Sequence, residues 1–72
     1  MPRLTIEVTD DLITNVAVDG KPVVLLRRIE LVADADEGVQ LRATFPHSPY
    51  SKKYKDLLLR LPFAKAEEVG GL

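Results

Sequence analysis

The chain has no cysteine and no tryptophan, and a single histidine among its 72 residues. Without cysteine there is no disulfide staple, no thiolate zinc site and no cysteine nucleophile. Phe and Tyr together make only 6% of the chain, two of each. No apolar run approaches the length of a membrane span, and the first residues lack the charged-then-apolar order of a signal segment. The glycines are isolated at Gly20 and Gly38 or lie together at Gly70-Gly71. None forms a glycine-rich cradle for phosphate.

What is there reads as one small folded domain over residues 1–72. The hydrophobic share is 46%, ordinary for a globular chain and too high for a disordered one. At this length a core is thin, worth about 3–5 kcal/mol, so close packing or a partner has to complete it. Net charge is −1 but is unevenly spread. Residues 1–38 hold four basic and eight acidic groups, and residues 39–72 hold six basic and three acidic. No acid lies between Arg42 and Lys55. Such a dipolar chain suits an oriented encounter with a partner, although two solvated faces of different sign would look the same.

The region from Leu12 to Phe45 organises the rest. Asp19-Gly20 sits between two β-branched runs, and a two-residue type I′ hairpin needs positive φ at both of its central positions. This pairs Val18 with Lys21 and Val16 with Val23. Val23 to Leu26 is apolar on both parities, which fits a strand covered on both faces or one carrying a bulge. Leu4, Ile6 and Val8 alternate with polar residues, and Leu12, Val16 and Val18 form the expected inner face of the next strand. Ile29, Leu31 and Ala33 alternate in their turn, followed by Val39, Leu41, Ala43 and Phe45. The predicted strands are about 3–8, 12–18, 22–33 and 39–45. Short connections favour an antiparallel meander.

Pro46 and Pro49 end the sheet, and Ser48-Pro49 reads as a helix N-cap followed by a first-turn proline. Tyr50, Tyr54, Leu57, Leu58 and Leu61 then form one apolar stripe, predicting a helix over about 49–61 that Pro62 stops. Leu57, Leu59, Leu61 and Phe63 also alternate, so a fifth strand over 56–63 competes; length and the cap favour helix. Ala64 to Val69 reads as a last short turn, and the tail 70–72 as frayed. The expected fold class is α+β: a small antiparallel sheet of about four strands with one C-terminal helix packed on it.

Candidate chemistry is sparse. His47 with Ser48 and Ser51 offers base and hydroxyl types, but no nucleophile elbow or oxyanion loop accompanies them. Asp34, Asp36, Glu37 and Gly38 lack the further ligands and closing glutamate of a calcium loop, and read as a hairpin turn. No catalytic, cofactor or metal site is expected. The best functional segment runs from Arg42 to Lys55, where Arg42, His47, Lys52, Lys53 and Lys55 are interleaved with Phe45, Tyr50 and Tyr54. Basic groups neutralise phosphate and exposed rings stack on bases, so nucleic acid is one possible partner. The sequence pI near 5.7 argues against a dedicated nucleic-acid binder. For a protein partner the expected contact surface is an exposed sheet edge or the face around Leu59, Phe63 and the lysines. Arg27 and Arg28, set in an apolar strand, need either solvent or a carboxylate partner such as Glu30 or Glu7.

The segment Asn15-Val16-Ala17-Val18-Asp19-Gly20-Lys21-Pro22-Val23, with Arg28-Ile29-Glu30-Leu31 and Val39-Gln40-Leu41-Arg42-Ala43, resembles small β-rich proteins encoded by bacteriophages and prophages. The resemblance covers about half the chain and rests on hairpin grammar. It implies a virion-associated or host-interacting protein, carries over no functional residue, and places the chain in host cytoplasm or virion. The sequence therefore predicts a small non-enzymatic protein-interaction module, self-associating or binding another chain, with no membrane partner.

Overall fold

The computed structural model describes residues 2–70. The elements run β1 (Leu4–Thr9), β2 (Leu12–Val18), β3 (Lys21–Pro22), β4 (Arg28–Asp34), β5 (Gly38–Pro46), α1 (Ser51–Leu58) and β6 (Ala64–Val69). They form two three-stranded sheets, β1-β2-β3 and β4-β5-β6, in place of one four-stranded meander. The α+β class holds, and the hairpins are antiparallel as their short turns require. β6 is parallel to β5, and α1 lies in the crossover between them. A crossover of this length is what a parallel pair needs.

The turns follow their chemistry. Asp19 and Gly20 both take positive φ, as do Asp10 and Asp11 between β1 and β2. Short Asp side chains tolerate that region and glycine meets no penalty there. Val18 pairs with Lys21, and the Val23 N–H donates to the Val16 carbonyl at 2.7 Å. The predicted strand 22–33 is broken: β3 ends at Pro22 and β4 begins at Arg28. In between, Leu25 takes φ +68, rare for a bulky residue, and the chain crosses from one sheet to the other. The two-sided apolar run reflects this crossing, with Val23 buried and Val24 and Leu25 exposed.

The helix is shorter than the stripe predicts. Its N-cap is Tyr50, with no side-chain cap bond, and Ser48 lies two residues earlier, its Oγ accepting the Tyr50 N–H. Past Leu58 the bonding tightens: the Arg60 N–H donates to Leu57 and the Leu61 N–H to Leu58, a three-residue repeat that ends the helix ahead of Pro62. Tyr50 is therefore outside the helix and 73% exposed, not part of the stripe, whereas Leu58 and Leu61 are buried. No strand forms over 56–63. The added strand is Ala64–Val69, in place of the expected turn. Of the expected frayed tail, Gly71 and Leu72 lie outside the described residues.

One core joins both sheets and the helix: Val16, Val18 and Val23 from the first sheet side, Leu41, Ala43 and Phe45 from β5, and Leu58 and Leu61 from the helical segment. Phe45 is fully buried, which stabilises the chain by about 3 kcal/mol relative to exposure. Among the described residues no helix is long and apolar enough to cross a membrane.

Candidate interaction surface

Each hairpin continues its inner face beyond the core. Thr14 is an extra residue in β2, so Glu7 pairs with Asn15 but Val8 with Ile13. Val8 and Leu12, both expected inside, are 63% and 68% exposed: Val8 lies past the core opposite Ile13, and the bulge pairs Leu12 with Thr9 on the other face. In the second sheet Ile29 is half-buried opposite Ala43, while Leu31, Ala33 and Val39 stand exposed on the same face. Alternation identified the apolar side of the strand; the small core covers only its first part.

β4 is terminal in its sheet, so one of its backbone edges has no strand partner among the described residues. Leu31 is 49% exposed on one face and Val32 61% exposed on the other. β6 is also terminal, but Lys65, Glu67 and Glu68 guard it with charge. Along β4 the only charge between the two end residues is Glu30, and that carboxylate is bound to Arg28 Nε at 3.2 Å. At the turn, Asp34 Oδ1 accepts the N–H groups of Asp36 and Glu37 at 2.8 and 2.9 Å. The Glu37 N–H foremost, then that of Asp36, hold the Asp34 carboxyl below the ordinary aspartate value. This tight Asx turn explains why the acidic cluster is a turn: its first carboxylate is committed to backbone.

A groove lies beside this edge. Residues 13–16 of β2 line one wall, and the crossing segment 23–27 with Arg28 and Ile29 lines the other. Ile13, Val24 and Leu25 expose apolar surface along it.

The nine residues singled out from the sequence do not form one site. Arg27 and Arg28 line this groove. Arg42 and Phe63 line a second depression, on the β5–β6 side. Lys53 lines a third with Lys21, Tyr54 and Arg60. Leu59 is exposed but borders none of the three. The basic segment is largely paired within the chain: Arg42 with Glu67 at 3.5 Å, Lys52 with Asp56 at 3.0 Å, and Lys55 with Glu68 at 3.2 Å. Lys53 Nζ stands 5.7 Å from the Tyr54 ring centroid. Of the two carboxylates suggested for the arginines, Arg28 takes Glu30, while Glu7 instead accepts a bond from Asn15.

No protein family, curated protein or solved structure matches this chain. Its surface is therefore read from its own chemistry. The His47 side chain is exposed, with Nδ1 4.0 Å from a Glu68 oxygen. Ser51 Oγ donates to the half-buried end of β5, bonding the Pro46 carbonyl at 2.6 Å. That serine is a structural strut between β5 and α1. The sequence predicts contact through an exposed sheet edge without assigning it to a strand, and Ile29-Glu30-Leu31-Val32-Ala33, with one charge where a guarded edge carries more, is the signal for β4.

Proposed function

We propose that this chain is a small protein-interaction module that works by adding a strand or apolar segment to the open side of β4. One observation carries the reading: an unpaired strand edge with Leu31 exposed on one face and Val32 on the other. Backbone N–H and C=O groups on such an edge supply affinity, and alternating side chains supply selectivity. A thin core gains from the added contact. The resemblance to small phage β-rich proteins gives the module a setting, as a virion-associated or host-binding part.

A second reading is nucleic-acid contact, for which Lys53 over the Tyr54 ring is the favouring feature. The internal pairing of Arg42, Lys52 and Lys55 weakens it, because those pairs have to open before the cations meet phosphate. Affinity capture with and without nuclease separates the two. Protein interaction predicts capture that survives nuclease and falls in a Val32→Asp variant. Nucleic-acid contact predicts loss on nuclease, steep weakening with salt, and loss when Lys52, Lys53 and Lys55 become alanine. A wild-type chain that captures nothing and stays monomeric would remove the module reading.

A further inference from the structure

We infer that the partner of the β4 edge is a second copy of this chain, joined antiparallel about a two-fold axis at Leu31. The inference rests on the interaction-module reading and names its partner. The seven residues Arg28–Asp34 have Leu31 at their midpoint, so this axis brings the whole strand into register. Leu31 then meets the partner's Leu31, Ile29 meets the partner's Ala33, and Glu30 meets the partner's Val32. Arg28 at one end falls opposite the partner's Asp34 at the other. The interface is isologous, each contact occurring twice.

Charge selects this register over its neighbours. Moving the axis to Glu30 sets two glutamates against each other. Moving it to Val32 sets Glu30 against the partner's Asp34. Like charges directly opposite across strands destabilise the pair, whereas opposite charges favour it. The Leu31 axis joins the β4-β5-β6 sheets of the two copies into one sheet of six strands. It also makes the exposed inner residues Leu31 and Ala33 continuous with the same residues of the second copy. An edge that is otherwise a template for open-ended aggregation is thereby closed by symmetry.

The test uses Leu31 facing its own copy. Leu31→Lys and Leu31→Glu each put like charges on the axis, and mixing the two variants restores an opposite pair. Leu31 is half exposed in the free chain, so either substitution is compatible with the fold, which circular dichroism checks. In sedimentation equilibrium the wild type is expected at twice the 8.0 kDa chain mass. Either variant alone is expected to dimerise roughly tenfold or more weakly, and the equimolar mixture to recover the dimer. If a variant unfolds, hydrogen exchange on the wild type decides: β4 amides pointing away from β5 gain protection as protein concentration rises. A monomeric wild type, concentration-independent exchange, or a dimer that neither charge disturbs overturns the inference. A monomer that still binds another protein through Val32 leaves the broader module reading intact.

Discussion

Single side chains divide into those that close the core and those that join elements. Phe45 belongs to the first kind, with no exposed surface in a cluster of Val, Leu and Ala. Ser51 belongs to the second: it is fully buried, and its hydroxyl donates to the Pro46 carbonyl. Phe45→Ala is expected to cost about 3–5 kcal/mol of unfolding free energy. Given a thin core, that leaves the variant largely unfolded. Ser51→Ala removes one oxygen yet is expected to cost about 1 kcal/mol or more, because the half-buried Pro46 carbonyl loses its donor. Urea unfolding measures both, and a Ser51→Ala variant as stable as wild type would show that this carbonyl finds another donor. Phe45 was legible from alternation. Ser51 was not, since a serine in the first turn of a helix is usually exposed, and only the approach of α1 to the end of β5 buries it.

At the level of elements, the β4–β5 hairpin depends on its turn. Asp34 carries a lowered pKa because its carboxylate accepts two backbone N–H groups. A carboxylate with a depressed folded-state pKa contributes stability that is present above the unfolded value and lost as pH falls through the folded one. Wild-type melting temperature is therefore expected to fall below pH 3.8, the ordinary value for this group, more steeply than that of Asp34→Asn. The amide keeps an acceptor for the turn but does not titrate. Thermal melts from neutral to strongly acidic pH make the comparison, and parallel curves would rule out the Asp34 contribution. The hairpins and the Asp-Gly turn were legible because their signals lie within a few residues. β6 was not: five of the six residues from Ala64 to Val69 are Ala, Lys or Glu, poor strand formers. It is a strand because β5 offers an edge and its two alanines pack against the core.

For the molecule as a whole, the question is how two small sheets and one short helix stay folded. An eight-residue helix has little stability alone, so α1 persists through its packing on β5 and β6. If the β4 edges pair, folding and association are linked, and the folded state gains stability with concentration. The wild-type melting temperature is expected to rise with protein concentration, while that of Leu31→Lys is expected to stay constant; equal behaviour of the two would separate stability from this edge. By itself the sequence determined the apolar faces of the strands up to the Thr14 bulge, the two-residue reversals and the place of the helix, because periodicity and turn chemistry act between near neighbours. The tertiary structure alone decided that the run 22–33 breaks at Leu25, that β6 pairs parallel to β5, and that Val8, Leu12 and Leu31 remain uncovered. Alternation says which side of a strand is apolar, but how much of that side is covered depends on the reach of the core, which distant segments build together.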